Sequence, residues 1–151
     1  MPKLLRYWLP VIAWAALILT LSTGAFQHGR TLPLLRSLLQ FLIPDLSPAT
    51  LALLHTLLRK GVHMAEYFVL GFLLWRAFRA DATARWRPRW SLAALALSLA
   101  LAALDELHQS FEPTRTGALL DVGIDTAGAA LAQLWLWWRA RLPSPPTTRP
   151  P

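Results

Sequence analysis

An all-α membrane protein is the fold class this sequence predicts: a bundle of four transmembrane helices, with amphipathic helices lying in the interface between the first and second spans. Three observations predict it. Of 151 residues, 55% are hydrophobic and 15% charged, whereas soluble domains carry about 25% charged residues. The apolar residues gather into runs of about 20, the length that crosses a hydrocarbon core. Most Lys and Arg stand just beyond the ends of those runs, where basic residues set topology. The formal net charge of +7 is therefore read as topology and attraction to anionic lipid, with no nucleic-acid partner. Cysteine is absent, which excludes disulfides and Cys-ligated metal or redox sites.

The first span is placed at about residues 7–27, behind a short basic start with Lys3 and Arg6. The basic start also suits a secretory leader. The apolar run is long for one, and Ser22 to Ala25 is a loose cleavage site, so an uncleaved span is preferred. Pro10 falls in the first turns on this placement, where a missing N–H costs least. Between His28 and Lys60 the texture changes. Leu32, Leu35, Leu38, Leu39 and Leu42 share a helical face until Pro44, and Ser47 before Pro48 reads as an N-cap and N1 proline opening a helix that carries Leu51, Leu54 and Leu58. Both segments are expected to lie in the interface.

The second span covers 61–79, with His63 and Glu66 on one face near its start and Arg76 and Arg79 at its end. A basic loop with Arg85, Arg87 and Arg89 follows. The third span, 90–111, is Ala/Leu-rich until it turns polar at Asp105; Ser98, Ala102 and Asp105 share a face on which a neighbouring helix can approach closely. Residues 112–116 form a turn. The fourth span, 117–138, aligns Asp121, Asp125, Gly128 and Ala132 and closes on Trp135, Trp137 and Trp138. The membrane domain then occupies residues 1–142, and the Pro-rich tail, 143–151, is expected to be disordered. The basic N-terminus, the 76–89 loop and the tail put both termini in the cytoplasm, in a bacterial inner membrane.

Alternation of the spans brings the start of the second, the end of the third and the start of the fourth to one side. Five carboxylates (Glu66, Asp105, Glu106, Asp121, Asp125) thus meet His63, His108, Gln109 and Arg115 at similar depth, with Ser22 beside them. A charge at the bilayer centre costs roughly 2.5–3.5 kcal/mol on insertion scales, so such residues are rarely incidental. The carboxylates outnumber Arg115 and Lys60, which requires protonated acids, charged imidazoles or a bound cation. The candidate catalytic groups are Glu66, Asp105, Glu106, His108, Arg115, Asp121 and Asp125. Ser22, His63, Tyr67, Gln109 and Arg115 are candidates for holding a ligand. A divalent cation on His63, Glu66, Asp105 and His108 is a minority reading, because the spacing matches no zincin motif. Ser22, Ser110 and Thr116 are nucleophile candidates by position only.

These residues resemble a known family. His63-x-x-Glu66-Tyr67 with Leu70 and Gly71, then Asp105-Glu106-x-His108-Gln109-x-Phe111-x-Pro113-x-Arg115, then Asp121-x-x-x-Asp125 with Gly128, are similar to the VanZ-like proteins, small polytopic membrane proteins of bacteria. The resemblance implies a protein of the cell envelope; the founding member is linked to low-level resistance to the glycopeptide teicoplanin. Thr114 departs from the family, where Gly commonly follows the proline and permits a type II turn.

Three functions compete. The polar site acts on or binds an envelope lipid, glycan or glycopeptide at the outer leaflet. Alternatively it serves a proton- or ion-coupled transporter, although no ionisable residue continues the path through the inner halves of the spans. In the third reading the cluster fixes helix packing only, in a scaffold whose Gly123/Ala127 and Gly128/Ala132 pairs receive partner helices.

Overall fold

The computed structural model describes residues 2–22, 37, 39, 41, 43, 47–111 and 119–143. Among them are four long helices: α1 (Lys3–Ser22), α2 (Pro48–Arg79), α3 (Pro88–Ser110) and α4 (Leu119–Arg141). The expected turn at 112–116 with Arg115 and Thr116, residues 117 and 118, the tail from 144 and most of the expected 32–42 helix lie outside the described residues. Within that helix positions 37, 39 and 41 are helical, and Ile43 donates its N–H to the Leu39 carbonyl at 2.7 Å.

By length and composition α1 from Leu4, α3 and α4 can each cross a membrane. The exception is α2, whose apolar stretch is interrupted by Arg59, Lys60, His63, Glu66 and Arg76. The start of α2 is as the sequence predicts. Ser47 caps it, accepting the Thr50 N–H at 3.1 Å, and Pro48 occupies the first turn, where its missing N–H costs nothing. What differs is its continuity: the expected interfacial helix before residue 60 and the expected span after it are one helix of 32 residues. Gly61 fails to interrupt it. A lone glycine costs only about 1 kcal/mol relative to alanine. Pro10 is also more internal than expected, because α1 begins at Lys3. The proline therefore removes the N–H that would bond to the Arg6 carbonyl, a loss that membrane helices tolerate.

The inward faces of α3 and α4 carry mostly small and polar residues and their outward faces are apolar, while α1 and α2 fill the core with Val11, Ile18, Tyr67, Leu70, Leu74 and Trp75. On α3 the inward residues Ala94, Ser98, Ala102 and Asp105 are fully buried, while Leu92, Leu99 and Leu104 face outward. The same division holds on α4, with Asp125, Gly128, Ala129 and Ala132 inside and Leu131 and Leu134 outside. Small inward residues permit close helix approach where no hydrophobic effect drives helices together. The contact of α2 with α4 is the tightest. A Cβ on Gly71 would stand 3.0 Å from Ala129 Cα, and one on Gly128 only 2.2 Å from the Met64 carbonyl oxygen. Gln133 reinforces that seam by donating from Nε2 to the Gly71 carbonyl at 2.9 Å. The α1 helix packs mainly on α2, through Val11 and Ile18 and through Trp14 Nε1, which donates to the Glu66 carbonyl at 2.9 Å.

A Cβ added at Gly61 or Gly123 would meet nothing within 4 Å. Gly61→Ala and Gly123→Ala are each expected to raise stability by about 0.5–1 kcal/mol through helix propensity, measured by unfolding in mixed detergent micelles. Of the two small-residue pairs, Gly123/Ala127 is exposed and Gly128/Ala132 is internal.

Candidate functional site

The last turn of α1, the last turns of α3 and the first turns of α4 meet at one end of the bundle, beside α2. Asp105, fully buried on α3, is held from two sides: Oδ2 accepts from Ser22 Oγ at 2.7 Å and from Gln109 Nε2, one turn on, at 2.9 Å. Asp125, 1% exposed on α4, is held differently. Neither of its carboxylate oxygens has a hydrogen-bond partner among the described residues. Its nearest recorded polar contact is His63 Nδ1 at 3.7 Å, and the same nitrogen lies 4.0 Å from Glu66 Oε2.

Tyr67 stands among these acids, 1% exposed, within electrostatic range of Asp125, Asp105, Glu66 and Glu106. Spacing explains why one helix contributes so much: His63, Glu66 and Tyr67 are three and four residues apart, so they share a face of α2. At the rim, Asp121 accepts from Lys60 Nζ at 2.9 Å and from Arg59 at 3.1 Å. A crevice of about 10 Å³ lies between Arg59, Lys60, His63, Asp121, Ile124 and Asp125. That volume is near the minimum for one water molecule.

The site therefore gathers most of the residues expected of it: Ser22, His63, Glu66, Tyr67, Asp105, Glu106, Gln109, Asp121 and Asp125. His108 does not join. It is exposed, because a helix that turns Asp105 and Gln109 inward turns residue 108 away. Ser110 is also exposed and donates to the Leu107 carbonyl at 2.7 Å. The four residues considered for a divalent cation do not converge, and among the described residues no three His, Asp or Glu side chains are disposed to share one. Arg59 is a member of the site that the sequence reading misses. Its signal is the continuity of α2: read through Gly61, Arg59 and Lys60 precede His63 by four and three residues and fall on the same face.

Fold and site together define a class: a helical membrane protein with a carboxylate-rich cluster, centred on a tyrosine, buried at one end of its bundle. A family model described as VanZ/LLP1 matches residues 7–140, and the chain belongs to that family. No curated protein and no solved structure matches it.

Proposed function

We propose that this chain is a four-span protein of the bacterial inner membrane, with both termini cytoplasmic, and that its acidic end acts on or binds a polar lipid or glycan at the outer leaflet. Helix α2 supplies the fourth span, its polar residues shielded by the other three. The observation that carries the reading is Asp125. A buried carboxylate without a hydrogen bond is costly, and such groups survive where a function retains them. Here it adjoins an imidazole and a crevice of one-water size, the arrangement that moves a proton between a buried base and a ligand at the rim. Arg59 and Lys60 offer cations to a phosphate or carboxylate on that ligand, and Arg115, four residues before Leu119 in the sequence, is the further cation proposed to join them. Asp105 is the positioned member of the set, fixed by Ser22 and Gln109.

Asp125→Asn keeps the size of the side chain and removes the base. In a host whose teicoplanin tolerance depends on this chain, the variant is expected to lower tolerance to that of the deletion strain, with its membrane abundance unchanged. Parallel loss of protein and tolerance would instead make Asp125 structural, and full tolerance would remove it from the chemistry.

A second reading has one observation behind it. Buried polar groups continue away from the acids: Ser98 and Ser91 along α3 and Gln133 along α4. Such a ladder suits proton-coupled transport. Proton flux into proteoliposomes that Gln133→Leu abolishes would establish it.

A further inference from the structure

At the opposite end of the bundle, five arginines surround one cavity of about 600 Å³: Arg6 from α1, Arg76 and Arg79 from α2, Arg85 from the loop after it and Arg139 from α4. Basic residues at helix ends are ordinarily solvated topology signals, spread over the surface. Here they converge from three helices and a loop onto a single concavity. Among the described residues none of Arg6, Arg76, Arg79 and Arg139 forms an ion pair with a carboxylate. The nearby acid, Asp81, accepts from the Tyr7 hydroxyl. Aromatic rings flank four of the guanidinium groups: Arg6 and Arg76 lie 5.5 and 5.7 Å from the Tyr7 ring centre, Arg79 lies 5.4 Å from Trp75, and Arg139 lies 5.2 Å from Trp135; Arg79 Nε also donates to the Ala84 carbonyl at 3.0 Å and Arg85 Nη1 to the Leu142 carbonyl at 2.9 Å. Stacking on a ring face fixes an arginine without using its N–H donors.

We infer that this cavity binds the phosphate headgroup of an anionic phospholipid. Guanidinium groups match phosphate oxygens in pairs, and several around one site create a preference for negative charge that a zwitterionic headgroup does not satisfy. The source is lipid because the wall is amphipathic. Phe72, Trp135 and Leu136 line the same cavity as the arginines, giving acyl chains an apolar side beside the charged one. Basic pockets between transmembrane helices bind anionic headgroups in this way. The inference does not depend on the acidic end or its proposed chemistry.

The test is lipid binding to the purified full chain in a neutral detergent, read by native mass spectrometry with short-chain phosphatidylglycerol and phosphatidylcholine. Phosphatidylglycerol is expected to bind about tenfold more tightly than phosphatidylcholine. Arg76→Gln with Arg139→Gln should weaken it by roughly fivefold per arginine removed, while Arg87→Gln with Arg89→Gln, outside the cavity, leaves it unchanged. Arg139 is exposed, so Arg139→Gln alone carries the test if the double variant does not fold. Equal binding of the two lipids, equal loss in the Arg87/Arg89 variant, or displacement of the lipid by inorganic phosphate at equal concentration overturns the inference; the last would make the cavity a site for a free anion.

Discussion

Gly128→Ala is expected to destabilise the bundle by about 3 kcal/mol, the largest effect of a methyl added at any of the described glycines. The added carbon would stand 2.2 Å from the Met64 carbonyl oxygen and 3.0 Å from its carbon. Both are backbone atoms of α2, so no side chain can swing aside. Relief requires α2 and α4 to separate, which loosens Gly71 from Ala129 and stretches the Gln133 bond to the Gly71 carbonyl. Helix propensity acts in the opposite direction by about 1 kcal/mol and is outweighed. Separation also moves His63 from Asp125, since these residues closely precede Met64 and Gly128 on their helices. Unfolding in mixed detergent micelles measures the loss, and Gly123→Ala on the same helix is the control. If the two variants proved equally stable, the close approach of α2 and α4 would be wrong.

Asp105→Ala comes second, at about 2–4 kcal/mol. It takes from Ser22 and Gln109 a buried acceptor that each reaches within 2.9 Å. Asp105→Asn keeps one acceptor oxygen and should cost much less. Interhelical polar contacts in membranes average only about 0.6 kcal/mol in double-mutant cycles, so a Ser22→Ala/Asp105→Asn cycle should return a coupling of that order. The comparison separates packing from chemistry. If Asp105→Asn abolishes function at a stability cost of that size, the carboxylate acts beyond holding α1 to α3. If function follows stability through the series, it is a structural tie.

Much of the site can be read along the chain because helices repeat. Asp105 with Ala102 and Ser98, Asp125 with Gly128 and Ala132, and His63 with Glu66 are each legible as one face, and the structure buries those faces together. His108 shows where that reading fails. Spacing of three places it beside Asp105 on a helical wheel, but whether a face includes its flank depends on how the helix is rotated against its neighbours. Arg59 shows a second failure. A glycine and two charges look like a boundary, and the boundary dissolves because Asp121 on another helix receives both charges.

By itself the sequence determined the helical class, the apolar runs, the capped start of α2 and the family, because these depend on local periodicity and composition. Tertiary structure alone decided which small residues touch, which acid goes without a hydrogen bond, and that arginines from α1, α2 and α4 share one cavity. Those outcomes depend on helix rotation and depth, which are set by contacts between residues far apart in the chain. No local pattern encodes the approach of Gly128 to the Met64 carbonyl on α2, which leaves no room for a Cβ; only the packed bundle does.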